Sequence, residues 1–526
     1  MAAYPSRDNS ISRLGVETAK GGAAFTTASI VRSASTLVTL IVLARLLLPS
    51  DFGLYSIVLA LVTLLGMNTD YGVGNALKKY LASSKRIGSA NEIISSAYLS
   101  GLSISLLIAV GLAVSSGYIA KGIYGDPSLS MPIQAAALVL ASSALFIITA
   151  SVLLGLRKSR EASAGFLVHS VTQPVFSIAM VLLGYGIPGA IFGMALGYLA
   201  AFAVSFALLV VTSRYRPVAP KPNSLARVLS FGTPIFVSNA ANNGTRNFGL
   251  IFLGLFVSSA VIGNYGAAFK LGSFGDVIIA ACLSVLLPAF SRAVSISRLR
   301  GRIEKLFNGS LYYTLLFLLP LLAYLICVSK PLIFLLFSAS YVLAPLYFSI
   351  IAIGIVAGVA GRYAGTLVVG YGMVKPYAKL TLLVSLAIVL MLLILTPTLN
   401  VYGTLIVLFV ASPLLFTVAF LAMLKKEFGI KLHLGKPARL VAASLLLGLL
   451  LLSIAIVLGD GLAIIALDAL ATLMLYPPLI ALFKAIDKND IDFVREVGNA
   501  KLISWATARM AAYTEYCLRI LRPADA

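Results

Sequence analysis

The sequence predicts an all-α polytopic membrane protein of about fourteen spanning helices, and three observations predict it. First, 60% of the 526 residues are hydrophobic and only 11% are charged, with a mean hydropathy of +1.01, whereas a soluble chain keeps about a quarter of its residues charged. Second, apolar runs near the 20 residues needed to cross a bilayer recur along the chain. Third, Lys and Arg crowd into alternate loops between those runs.

Read in order, the runs fall at roughly 22–47, 53–76, 92–118, 131–155, 164–184, 188–212, 230–257, 260–289, 307–328, 344–370, 377–397, 402–424, 438–459 and 462–485. The first 20 residues are polar, with Arg7, Asp8, Arg13, Glu17 and Lys20, and read as a cytosolic tail ahead of a spanning helix. Basic residues gather in that tail and in 78–86, 157–160, 214–227, 292–305, 375–379, 425–439 and 484–522. The opposite side carries Arg45, Lys121 and Lys330. By the positive-inside rule both termini are cytosolic. The net charge of +22 is thus mostly a topology signal, and no basic patch on a soluble domain invites nucleic acid. The segment 486–526, with Val494, Leu502, Ile503, Trp505, Met510 and Leu518 among charges, reads as an amphipathic helix on the cytosolic membrane surface.

Several chemistries are excluded. The three cysteines, Cys282, Cys327 and Cys517, stand singly, and the two histidines, His169 and His433, lie far apart. No metal site, disulfide framework or triad is expected, nor any cofactor. Phosphate-loop, HExxH and GxSxG motifs are missing from the sequence, and external loops are too short for a membrane glycosyltransferase or polymerase.

The stretch "PSDFGLYSIVLAL" (49–61) echoes "SAVIGNYGAAFKL" (259–271), with Gly53 and Tyr55 falling on Gly263 and Tyr265 at an offset of 210 residues. "YG" at 185–186 recurs at 402–403. Six runs separate each pair, so the chain reads as a parallel duplication of six helices. The expected organisation is a lobe over 1–212, a second over 213–424, and two added spans with the tail over 425–526.

The repeat also aligns polar stripes. Ser29, Arg32, Ser33 and Thr36 in the first run share the spacing of Asn239, Asn242, Asn243 and Arg246 in the seventh, one face of a helix in each case. A cation at mid-bilayer costs about 2.5–3.5 kcal/mol on insertion scales and faces a bundle interior or aqueous cavity. Lys270 and Arg362 are two further intramembrane cations, against Asp276 and Asp468. Lys270 and Asp276 lie about 120° apart around their helix and do not share a face. His169, with Thr172 and Gln173, forms a smaller stripe suited to helix packing or to substrate; His169 and Asp276 are candidates for coupling or gating.

The segment "VLARLLLPSDFGLYSIVLALVTLLGMNTDYGVGNALKKYLA" (42–82) resembles the N-terminal signature of the polysaccharide-biosynthesis (Wzx-type) flippases of the multidrug/oligosaccharidyl-lipid/polysaccharide exporter superfamily. "VLSFGTPIFVSN" (228–239), "LLPAFSRAVS" (286–295), "PLIFLLFSASYVLAPLYFSIIAIG" (331–354) and "LNVYGTLIV" (399–407) follow in the family's order. The resemblance implies a V-shaped pair of six-helix lobes and a central cavity whose basic residues bind an anionic headgroup. It implies a polyprenyl-phosphate or pyrophosphate-linked oligosaccharide as cargo, with membrane lipids and the pathway's glycosyltransferases or polymerase as partners. On this reading Arg32 faces phosphate, Arg246, Lys270 and Arg362 are cavity cations, and the Ser, Thr and Asn stripes face sugar. The alternative within the superfamily, a cation-coupled multidrug exporter, calls for a cavity richer in carboxylates than this one.

Overall fold

The computed structural model describes residues 7–69, 72–83, 87–213, 215–296, 300–459, 461–498 and 504–521. Every regular element among them is helical. The chain divides into two compact units, Met1–Gly263 and Asn264–Ala526.

The first unit holds α1 (Arg7–Leu46), α2 (Pro49–Thr69), the short α3 (Val73–Ser83), α4 (Ile87–Tyr118), α5 (Ser130–Gly155), α6 (Ser159–Met180), α7 (Gly186–Ser213) and α8 (Pro222–Leu253). Helix α1 begins at Arg7, so the expected polar tail is largely helical. Asp126 caps the turn before α5, accepting from the Ser128 backbone N–H at 2.9 Å. Between α6 and α7 the apolar run of 55 residues does not break in composition. As one helix it would be about 80 Å long, more than twice the bilayer core. Gly184 at φ 90° and Gly186 at φ 53° reverse the chain there, a conformation an L side chain resists.

The seam between α6 and α7 is close. A Cβ on Gly197 would sit 2.6 Å from the Gln173 Cα, so no larger residue lets the two backbones approach this way. Ser177 Oγ donates across the same seam to the Ala190 carbonyl at 2.9 Å. A second close approach joins the ends of two repeated segments. A Cβ on Gly53 would strike the Ser259 carbonyl, and one on Gly263 would strike the Pro49 carbonyl. Both close approaches lie within the first unit.

The second unit continues with α9 (Ser259–Ile296), α10 (Arg300–Cys327), α11 (Ser329–Leu336), α12 (Ala344–Gly370), α13 (Val374–Ile406), α14 (Ser412–Phe428), α15 (Gly435–Leu458), α16 (Ala463–Leu482), α17 (Lys488–Gly498) and α18 (Ser504–Leu521). Asn264 Oδ1 accepts from the backbone N–H groups of Leu343 and Ala344 at 3.0 and 3.1 Å and so caps α12. The run from Val374 to Phe428, again of 55 residues, turns at Asn400, whose φ is 52°.

Ten segments among the described residues are long and apolar enough to cross a membrane. The protein is therefore an all-α multi-pass membrane protein. Two of the ten are the 55-residue runs, each folded back on itself.

The C-terminal segment forms two helices within the second unit, α17 and α18, and α18 packs against α16. Ile491, Ala511 and Leu518 are buried, and Tyr513 donates to the Met474 carbonyl of α16 at 3.1 Å. An amphipathic pattern specifies an apolar face but not what covers it; here protein covers much of it. Lys436 Nζ reaches Asp487 and Asp490, 2.7 Å each, while the Tyr312 and Tyr313 hydroxyls donate to Asp490 at 3.2 and 3.1 Å. Between α10, α16 and α18 lies an apolar cavity of about 400 Å³ lined by Pro320, Tyr324, Thr472, Tyr476 and Met510.

Candidate functional site

Arg32 is the candidate cation whose surroundings are clearest. It lies on α1, and its side chain is exposed. The hydroxyls beside it are turned back on their own helix. Ser33 Oγ donates to the Ser29 carbonyl at 3.0 Å, and Thr36 Oγ1 donates to the Arg32 carbonyl at 2.9 Å. Their lone pairs remain available, while the stripe stays helical through local bonds. The Ser29, Arg32, Ser33 and Thr36 positions thus share one face, as their spacing predicts.

That face meets α6. The guanidinium carbon of Arg32 stands 5.2 Å from the centroid of the Phe166 ring, within cation–π range. Further along, Ser35 Oγ donates to the Ser170 carbonyl. The two contacts advance together along both helices, so α1 and α6 run parallel, as the first and fifth spans of a chain that alternates direction must.

Behind Phe166 is an aromatic wall. Phe146 meets Phe166 edge-on at 5.1 Å. His169, one turn beyond Phe166, stacks on Phe146 at 5.9 Å with planes 6° apart and lies 4.3 Å from the Tyr198 ring. The histidine is 7% exposed, and its Nε2 is buried without a hydrogen-bond partner among the described residues. Thr172 reaches the Gly197 carbonyl at 3.4 Å and Gln173 is buried at the α6–α7 seam. This stripe faces its neighbouring helices.

Arg246 lies half-buried on α8. The side chains of Asn239, Asn242 and Asn243, on the same helix, lie outside the described residues. In the second unit, Lys270 on α9 is half-buried, its ammonium 6.0 Å from the Phe269 ring centroid. Among the described residues it pairs with no carboxylate, in keeping with its angular separation from Asp276. The Asp276 carboxylate instead takes Arg362 of α12, Nη2 to Oδ1 at 2.6 Å, with the two side chains 26% and 29% exposed. Sequence spacing gave no sign of that pair, since it joins two helices far apart in the chain.

One other feature escaped the sequence reading. Phe166 lies three residues before His169, on the same helical face, and that spacing was the available signal. Asp468 is completely buried on α16, and neither carboxylate oxygen has a hydrogen-bond partner among the described residues.

Helices that fold back within apolar runs, bearing cations inside their spans, define a multi-pass membrane protein with charged groups held in its helices. The sequence profile of the family described as "Polysaccharide biosynthesis protein" matches residues 18–294. The chain belongs to that family. It is 24% identical over 311 residues to the succinoglycan biosynthesis transport protein ExoT of Rhizobium meliloti (strain 1021), covering 58% of this chain. The chain spans 60% of the length of that curated relative. Its fold is similar to the lipid II flippase MurJ in an inward closed conformation, with a TM-score of 0.74 at 14% identity, over 87% of this chain and 98% of the other. It is also similar to an inward-facing multidrug resistance MATE family transporter of the MOP superfamily, with a TM-score of 0.62 at 18% identity, over 76% and 96% of the two chains.

Proposed function

We propose that this protein flips a polyprenyl-phosphate or pyrophosphate-linked oligosaccharide from the cytosolic to the outer leaflet of the plasma membrane, supplying surface polysaccharide or glycoprotein synthesis. The single observation that carries the proposal is Arg32, an exposed guanidinium inside a membrane-spanning helix. An ion so placed is costly to insert and has a use that repays it. A guanidinium presents a planar fork of donors matched to phosphate oxygens. The hydroxyls of Ser29, Ser33 and Thr36, with Asn239, Asn242 and Asn243, suit sugar. Arg246 and Lys270 add positive charge, and Arg362 does so only when it is released from Asp276.

The task is to carry a charged, hydrated headgroup through about 30 Å of hydrocarbon. Fixed cations and hydroxyls stand in for its water while the polyprenyl tail stays in lipid, and no bond is made or broken. The membership in a polysaccharide-biosynthesis family supports this cargo. A cation-coupled drug exporter is disfavoured, because Asp276 already holds an arginine. Both termini are assigned to the cytosol by the positive-inside distribution, and the lobes over 1–212 and 213–424 follow from the repeat. Glycosyltransferases or the polymerase of the same pathway would be the partners on either side of the membrane.

Deleting the gene and analysing the lipid fraction tests the proposal. A lipid-linked glycan should accumulate and remain inaccessible to glycan-cleaving enzymes applied from outside. Normal display of all lipid-linked glycans at the outer leaflet would overturn it.

A further inference from the structure

We infer that Phe166 is a positioning residue for Arg32: its ring holds the guanidinium in the orientation in which it receives a phosphate. The inference rests on the reading of Arg32 given above and adds a residue to it.

The geometry points to this role. An exposed arginine on a helix has several freely turning side-chain bonds, and confining them costs up to about 2 kcal/mol of rotamer entropy. The arginine is a useful phosphate clamp only if part of that ordering precedes binding. Arg32 meets the Phe166 ring at 5.2 Å. The ring itself cannot drift, because Phe146 braces it edge-on at 5.1 Å, and Phe146 is 1% exposed, inside the unit's core. The register of the two helices is fixed nearby by the Ser35–Ser170 bond. On its far side α6 is fixed by the tight seam at Gly197. A chain of rigid contacts therefore runs from the α6–α7 seam through Phe146 and Phe166 to one exposed cation.

The chemistry suits the same role. A π face attracts the guanidinium without neutralising it, whereas a carboxylate would compete with the phosphate for the same hydrogen-bond donors. A guanidinium lying flat on the ring would keep its edge N–H groups directed away from the ring. A phosphate approaching in the guanidinium plane can then accept two of them while the stack is kept. Unlike Arg362, which is held by Asp276, Arg32 is exposed and pairs with no carboxylate among the described residues, so it is open to an anionic ligand.

The test is a double-mutant cycle on the full-length purified protein, with farnesyl diphosphate as the binding probe and calorimetry as the readout. Thermal unfolding midpoints are measured alongside. Arg32→Ala should weaken binding about ten- to a hundredfold, from the loss of one charged hydrogen-bonding pair. Phe166→Leu, which removes the ring but stays apolar, should weaken it about two- to fivefold, the range of an exposed cation–π contact. Phe166→Trp should bind at least as well as the unaltered protein, because the indole face is the stronger acceptor of a cation. In an Arg32→Ala background, Phe166→Leu should change nothing further.

The outcomes separate the two claims. If Arg32→Ala binds the probe like the unaltered protein, the phosphate reading of Arg32 fails and this inference with it. If Arg32→Ala weakens binding but Phe166→Leu has its effect in both backgrounds, Phe166 acts only through packing and the inference alone is overturned. An unaffected Phe166→Leu in the Arg32 background also overturns it. Should Phe166→Leu lower the unfolding midpoint, Phe166→Trp and Phe166→Tyr still decide the matter, since each keeps a ring against Phe146.

Discussion

Replacing Arg362 by alanine should destabilise the second unit more than replacing both Arg362 and Asp276 by leucine. The alanine variant leaves the partly buried Asp276 carboxylate of α9 with its arginine gone. Breaking a fully buried pair in this way costs about 3–5 kcal/mol, mostly from the stranded charge. Here 26% of one side chain and 29% of the other remain exposed, so hydration relieves part of the penalty, and we expect about 1–3 kcal/mol. The double leucine variant strands nothing. Apolar replacement of a buried pair is commonly neutral or stabilising, so it should unfold within about 1 kcal/mol of the unaltered protein. The charge-reversed pair, Asp276→Arg with Arg362→Asp, should recover part of the loss, because the 2.6 Å contact joins facing helices and not a particular order of charges. Chemical unfolding in detergent micelles, at fixed protein concentration and read from tertiary fluorescence, measures all four. If the double leucine variant is as unstable as Arg362→Ala, stranded charge is not the cause and the reasoning fails.

Three other outcomes follow from the same physics. Asp468→Asn should raise the unfolding midpoint, because the carboxyl is buried without a partner and the amide removes a charge that is costly to bury; a lowered midpoint would mean that this carboxyl is engaged. The clamp on α17 should loosen in acid. Burial raises the Asp487 carboxyl, but hydrogen bonds with Lys436 and Asp490 outweigh it and leave the group below the ordinary carboxylate range. Its contribution is therefore complete above the ordinary carboxylate value of about 4 and lost as pH falls through the lower folded value. Hydrogen exchange over 488–498 should thus be unchanged from pH 7 to 5, once corrected for the intrinsic rate, and should rise only below that ordinary value. Truncation after Asp487 removes Asp490 and uncovers the apolar cavity between α10 and α16, so it should lower protein abundance; a truncated protein as stable as the full chain would contradict the packing of α18.

Much of the fold was legible because hydrocarbon leaves a sequence few options. A backbone crossing lipid must satisfy its own hydrogen bonds, so long apolar runs are helices. The "YG" pair marking turns at 185 and 402 was informative because reversing an apolar run needs a residue of unusual φ, and Gly184, Gly186 and Asn400 provide it. The polar stripe of Arg32 was legible from spacing alone. What covers a face was not. The Asp276–Arg362 pair joins α9 to α12 by tertiary packing, which periodicity on either helix cannot report. The apolar face of α18 reads the same whether lipid or α16 receives it. Phe166 was hidden for a simpler reason, since an aromatic residue in an apolar helix looks like any other until the helix opposite is known.

The most direct test of the account is transport by Arg32 variants in proteoliposomes. The protein is reconstituted with a fluorescent polyprenyl-pyrophosphate oligosaccharide, and flipping is followed by quenching from outside. The account predicts a graded series at equal protein content. Arg32→Lys should retain part of the rate, since an ammonium keeps the charge but loses the planar fork; Arg32→Ala should fall further; and Arg32→Glu should be inactive through repulsion of the phosphate. Full activity of Arg32→Glu would contradict it.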